Sequence, residues 1–314
     1  MRFCLRAALA VILALASPVH AAEPAGGLEL VDLTPLFGAA WEATSALPDA
    51  ERPAAFRARF AQSSPGFYPR EALGAAAAAR YDERLLKRLK AYPEDRPGIE
   101  KASHSFDAMF RSARSSFEAR FGPMRGYPPV YLLHSLGEFD GGTRTIAGRT
   151  TLLFGADMIV RYHPGDDLQP FFHHELFHLL HQRTFNECAQ AWCSVWTEGM
   201  AVYVASTLNP KATDSELLLV QPEPIRAAVD RDRKAAVCAV VARLDSTEEA
   251  DLQALFSFKR LSPELPPRFG YYVGYLAAAE LGKTHSLSQL AKLDNAAARP
   301  LLERGLRALA DCGA

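Results

Sequence analysis

The segment His173–Gln182, HHELFHLLHQ, limits what this chain can fold into more than any other stretch. Inside it lies His174-Glu175-Leu176-Phe177-His178, an H-E-x-x-H spacing predicted to be helical. Four residues of α-helix rise about 6 Å and turn about 40° beyond one full turn. His174 and His178 therefore stand one above the other on one face. Two imidazoles so placed can share one Zn²⁺ at about 2.0–2.1 Å each. Glu175, one residue on, is near enough to handle the proton of a bound water without being a ligand. Moving either histidine by one or two residues would turn it to another face, so the spacing is itself a chemical requirement.

A catalytic zinc takes three protein ligands and leaves one position open. The run Trp196-Thr197-Glu198-Gly199-Met200-Ala201 supplies the third candidate. Glu198 opens a predicted second helix, Glu198–Thr207, which Asn209-Pro210 stops. Gly199 and Ala201 are small enough to let two helices approach closely. The predicted set is His174, His178 and Glu198 around one Zn²⁺ per chain. His173 points about 100° away from His174 and reads as a packing or surface residue. His181 follows His178 by three and reads as core or as a neighbour of the metal rather than a ligand.

An H-E-x-x-H helix followed about twenty residues later by E-G-x-A on a second helix resembles the gluzincin zinc metallopeptidases. These include the thermolysin-like enzymes and aminopeptidases with a similar E-G-x-A helix. The chain looks most like a group of predicted zinc-dependent proteases of an uncharacterised domain family. The specific part of the likeness covers Pro170–Thr207, and Gly270-Tyr271-Tyr272-Val273-Gly274-Tyr275 resembles the G-Y-x-x-G-Y helix of that group. Trp196 is one position closer to the glutamate than in the aminopeptidase pattern. Val202 stands where thermolysin-like enzymes carry an Asp that supports a zinc histidine.

The resemblance implies a zinc-dependent peptidase acting on a peptide or protein substrate, with Glu175 as general base passing a proton from water to the leaving amine. The developing oxyanion needs a donor besides the metal. Tyr271 is the candidate; Tyr272 and Tyr275 compete for the role, and packing is an open reading for all three. The resemblance also implies a small sheet ahead of the zinc helix, whose edge can align an extended peptide. Two other classes share the ligand motif. One is a zinc hydrolase of a non-peptide substrate, and the other a non-catalytic zinc- or peptide-binding protein. An intact Glu175 argues against the latter, because structural zinc needs no base.

Residues 1–21 read as a secretory signal. Arg2 and Arg6 precede the apolar run Ala7–Ala16, and Val19-His20-Ala21 ends in a small residue suited to cleavage. An uncleaved anchor is the alternative. No other stretch approaches about 18 uninterrupted apolar residues. The expectation is an exported protein, periplasmic or secreted, with no stable membrane insertion after cleavage. Lys and Arg number 35 against 36 Asp and Glu, a net charge of −1 that gives no bias toward nucleic acid. Oligomeric state is not readable. Beyond Cys4, which precedes the apolar run, four cysteines remain: Cys188, Cys193, Cys238 and Cys312. In an exported chain these suggest two disulfides. Cys188–Cys193 is favoured as a staple between the ligand helices, which leaves Cys238–Cys312.

The expected fold class is α+β and predominantly helical, zincin-like, with a helical C-terminal part. An N-terminal helical region, residues 22–126, precedes a catalytic region, residues 127–314. Helices are expected over Arg52–Gln62, Glu71–Ala91 and Ile99–Phe121, with Pro93, Pro97 and Gly98 breaking the last two apart. Pro129–His134, Arg144–Arg149 and Thr150–Phe154 read as strands, with Ala156–Val160 continuing apolar. Helices then follow over Leu217–Val220, Ile225–Leu244, Thr247–Phe256, Phe269–Gly282, His285–Leu293 and Ala296–Ala310.

Overall fold

The computed structural model describes residues 28–70 and 73–313. The predicted signal segment, with Cys4, lies outside the described residues. The fold is α+β, mostly helical, around one four-stranded sheet. Strands β1 (Leu30–Asp32), β2 (Val130–Leu133), β3 (Gly141–Ile146) and β4 (Arg149–Gly155) lie in the order β1-β2-β4-β3. β1, β2 and β4 run parallel, and β3 returns antiparallel along β4 as an edge, with Gly141 opposite Phe154. Residues paired across a ladder share a face. Leu132 and Phe154 therefore face one side together, and Phe154 meets the rings of Phe106, Phe110, Phe171 and Phe172 there. That face is the floor on which the long helices lie.

Helices α1 (Thr34–Thr44) and α2 (Arg52–Ala61) precede α3 (Ala75–Phe121), which runs unbroken through 47 residues. The expected break at Pro93 and Pro97 does not occur. A helical proline leaves the carbonyl four residues back without its donor. For Pro93 that carbonyl belongs to Leu89, and the Trp41 indole N–H donates to it at 2.7 Å. For Pro97 it belongs to Pro93, which is exposed, so water can serve it. Gly98 then lets α3 meet the next helix closely: a Cβ there would lie 2.9 Å from Val160 Cγ1.

Two further expectations change. Ala156–Val160 does not extend the sheet but begins α4 (Ala156–Tyr162). Asp157 sits in its first turn, where a carboxylate is favoured, and accepts from the backbone N–H groups of Ser135 and Gly137 at 2.6 and 2.8 Å. β1 was not anticipated, because its three residues find their partner only about a hundred residues later, in β2. Its pairing makes the N-terminal region part of the sheet, and one hydrophobic core crosses the predicted boundary at residue 126.

The zinc-motif helix is α5 (Gln169–His181), with Pro170 in its first turn. The second helix, α6 (Ala191–Leu208), starts well before Glu198, which lies in its middle rather than at its opening. The remainder is α7 (Ile225–Arg231), α8 (Arg233–Val241), α9 (Glu249–Phe256), α10 (Phe269–Leu281), α11 (Leu287–Leu290) and α12 (Asn295–Leu309). The helix expected over Ile225–Leu244 divides at Asp232, whose side chain caps α8 by accepting from Ala235 N at 3.0 Å. Leu217–Val220 is turn, with Leu218 left-handed at φ 63°. Among the described residues no helix is long and apolar enough to cross a membrane.

α6 and α10 cross backbone against backbone. A Cβ on Gly199 would lie 2.2 Å from the carbonyl carbon of Gly274, and one on Gly274 would lie 2.3 Å from Val195 O. Only hydrogen fits at either position. Two disulfides pair as expected: Cys188–Cys193 between α5 and α6, and Cys238–Cys312 from α8 to the C-terminus.

Gly274→Ala should therefore destabilise the protein by about 1–3 kcal/mol, the usual cost of overpacking, while Gly282→Ala, where the tip of Tyr203 can move aside, should cost less. Denaturant titration of the two variants measures the difference. For the disulfides, the chain-entropy estimate is about 4 kcal/mol for the 74-residue loop of Cys238–Cys312 and about 2 kcal/mol for the short Cys188–Cys193 loop. Replacing each pair by serine should lower stability in that order.

Candidate metal centre

α5 stacks His174 and His178 with ring centroids 4.8 Å apart. α6 brings one oxygen of Glu198 to both: Oε2 lies 3.3 Å from His174 Nε2 and 3.6 Å from His178 Nε2. Ligands at about 2.0–2.2 Å around a tetrahedral ion sit about 3.3–3.6 Å from one another. The three donor atoms lie within 4.8 Å of each other, so two edges already have tetrahedral length. Two imidazole nitrogens and one carboxylate oxygen are a donor set suited to Zn²⁺. The residues fit the ion that the motif predicts.

The electrostatics fit as well. Burial alone would lower His178, but the Glu198 carboxylate, and Glu175 behind it, hold it up to about 9. Burial alone would raise Glu198, but His178, with hydrogen bonds from both imidazoles, holds it well below the usual carboxylate range. His174 is lowered by burial, against the pull of Glu198. In the free protein a proton on His178 takes the place of a cation.

Glu175 does not join this cluster. Its carboxyl turns toward the edge strand: a Cβ on Gly141 would lie 2.7 Å from Glu175 Cδ. Only a glycine lets β3 lie on that carboxyl. Burial, reinforced by Asp140 and Glu198 and opposed by His178, pushes Glu175 up to about 8. Its Oε2 is buried with no protein partner among the described residues. Glu175, the three metal-set residues, Gly141 and Tyr271 line one cavity of about 600 Å³.

No protein-family model, curated protein or solved structure matches this chain.

The three tyrosines of α10 separate. Tyr271 lines the cavity, its ring 6.4 Å from that of His174 and nearly parallel to it. Burial, together with Glu198, raises its pKa, so its hydroxyl keeps its proton. Tyr272 turns away to Asp230, 3.1 Å from its hydroxyl, and Tyr275 stacks on Tyr272. Neither lines the cavity. His173 is fully buried: Nδ1 accepts from the Asn209 amide at 2.8 Å and Nε2 donates to the Ala113 carbonyl at 3.1 Å, tying α5 to α6 and α3. His181 is held between Phe177 and Phe185, at 4.8 and 4.5 Å, with Nδ1 on the Ala291 carbonyl. Val202, buried, puts no carboxylate behind the metal histidines.

Several residues at the site were not singled out from sequence. Asp140 binds the buried His163 through Oδ2 at 2.9 Å and the N–H of Gly141 through Oδ1 at 3.0 Å, so it fixes the start of β3. Gln182, at the end of α5, donates to Thr143 at 3.1 Å and ties the same strand to the zinc-motif helix. Arg268, just before α10, lines the cavity. In sequence Asp140, His163 and Arg268 lie in turn-like or connector stretches; the signals are the place of Gln182 at the end of the H-E-x-x-H run and of Arg268 beside the G-Y-x-x-G-Y run.

The raised groups set a pH dependence. His178 contributes stability that is fully present below its unfolded value of 6.5 and lost as pH rises through about 9. Glu175 acts in the same direction, since its folded value of about 8 exceeds its unfolded value of 4.5. The metal-free fold therefore holds extra protons between pH 6.5 and 9, and its Tm should fall across that window. Metal binding requires the ligand His178 deprotonated, so the Tm gain on adding Zn²⁺ should grow over the same range. Thermal scans with chelator and with stoichiometric zinc test both slopes. A metal-free Tm that rises through the window would contradict this account.

Proposed function

We propose that this chain is a zinc-dependent peptidase with a zincin-like fold, related in its site to the gluzincins. The observation that carries the reading is the pairing of a tetrahedrally spaced His174–His178–Glu198 set with a separate, buried Glu175 at the same cavity. A zinc ion in that set would supply Lewis acidity toward water and toward a carbonyl oxygen. Glu175, buried at the cavity beside the metal set, takes a proton from water and returns it to the leaving amine. Tyr271 keeps its hydroxyl proton and donates it to negative charge developing on the carbonyl oxygen.

β3 gives the substrate a place to lie. It is the free edge of the sheet on the cavity side, and its glycines at 141 and 142 keep side chains out of the way. An extended peptide can pair with its main chain there, which orients the scissile bond without reading every side chain. The two disulfides support an exported location, because such bonds persist in oxidising compartments.

The test is Glu175→Gln in zinc-loaded protein. Zinc content should stay near one per chain, while peptide turnover falls by about 10²–10⁴-fold, the usual weight of a general base. His178→Ala, in contrast, should lose the metal. Loss of zinc in Glu175→Gln would make Glu175 part of the metal set. Undiminished peptide cleavage by that variant would remove the mechanism.

A further inference from the structure

Once the metal set, Glu175 and Tyr271 are accounted for, two arginines lining the cavity have no task, the exposed Arg144 and the half-buried Arg268. Arg268 lines the cavity with His174, Glu198 and Tyr271. Its backbone is left-handed at φ 62°, a conformation a non-glycine residue keeps only where its surroundings demand it. The surroundings are specific. Nη1 donates to the Gln221 carbonyl at 3.2 Å, and the guanidinium lies 4.5 Å from the Tyr271 ring centroid and 6.0 Å from that of Phe258.

No carboxylate pairs with Arg268 among the described residues. Several other arginines of the C-terminal half do have such partners: Arg226 with Asp214, Arg243 with Asp251, Arg260 with Glu223 and Arg299 with Glu303. A guanidinium is always ionised and carries five donors in a rigid fork. The Gln221 carbonyl takes one of these donors and the Tyr271 ring lies against the guanidinium, and the side chain lines the cavity. A half-buried cation without a counter-charge is costly unless an anion joins it. The fork matches a carboxylate through two parallel hydrogen bonds.

The two ring distances bound the gap from the guanidinium to the His174 ring at about 11 Å, the span of about three extended residues. We propose that Arg268 binds a carboxylate of the substrate, in the first instance the free C-terminal carboxylate of a peptide, so that cleavage falls within about three residues of the C-terminus. This rests on the peptidase reading and narrows its substrate class.

The experiment uses zinc-loaded full-length protein and matched peptides of one sequence ending in a free acid or a carboxamide, plus a carboxamide with an internal Glu. The expected result is cleavage near the C-terminus of the acid, with kcat/KM at least about tenfold above the amide, the weight of one charge-assisted contact. Arg268→Gln should collapse that ratio to near one at unchanged zinc content, and Arg268→Lys should restore part of it. A second readout is calorimetric binding to Glu175→Gln protein. The acid should bind more tightly than the amide, and Arg268→Gln in that background should abolish the difference. Equal cleavage of acid and amide by the wild type would overturn the carboxylate site and leave the peptidase reading intact. A preference that follows the internal Glu instead of the terminus would overturn the C-terminal assignment. Acid-selective binding with no cleavage of any peptide would instead remove the peptidase reading.

Discussion

The cavity depends on the contact of Gly199 with Gly274. At that crossing no side chain separates α6 from α10, and the backbone carbonyl of Val195 comes within reach of Gly274. Glu198 is the residue before one of these glycines, and Tyr271 lies three before the other. Bringing the two backbones together therefore places a metal-set carboxylate and a phenol hydroxyl on the same opening. A Cβ at either position would push the helices apart and move both groups. Close packing fixes where the polar groups stand; they do little to hold the helices together.

The polar groups are instead a cost that the fold carries. His174, Glu175 and Glu198 approach each other in largely buried surroundings, and burial is the largest influence on each of them. Desolvated carboxylates and imidazoles are tolerated when paired. Here the pairing is partial: Glu198 engages both histidines, while Glu175 Oε2 has no protein partner among the described residues. A divalent cation would relieve the first strain, and water or substrate the second. Such unresolved electrostatics, on helices otherwise well packed, is the signature expected of a functional site.

The local part of the site was legible in sequence because it depends only on helix geometry. The i, i+4 histidines and the adjacent Glu175 follow from the repeat of an α-helix, whereas Tyr271, one candidate among three, came from the resemblance of its G-Y-x-x-G-Y run to the gluzincin-like group. What was not legible depends on contacts distant in sequence. The unbroken α3 requires Trp41 to serve the carbonyl of Leu89. β1 requires β2, and the true start of α6 lies in a segment that sequence reading gave to a loop. Arg268 was passed over at the end of a proline-rich connector, because nothing in its neighbourhood tells whether an arginine has found a partner. Only the folded arrangement shows that this one meets a carbonyl and a ring but, among the described residues, no carboxylate.

β3 shows how such distant contacts reach the chemistry. Its N-terminal half is set from three directions: Asp140, anchored on His163, fixes the N–H of Gly141; Thr143 is held by Gln182 at the end of α5; and Gly141 rests on the Glu175 carboxyl. The strand cannot shift along β4 by one residue without exchanging its two faces, which would take Gly141 off Glu175 and put a neighbouring residue there. Register, in this small sheet, thus fixes the distance between the carboxyl proposed as base and the edge proposed to hold the substrate. The carboxyl proposed as base and the strand edge proposed for substrate are positioned by the same few hydrogen bonds. A change at Asp140 or His163, neither of them in the metal set, would reach the Glu175 carboxyl, and the proposed catalysis, through that register.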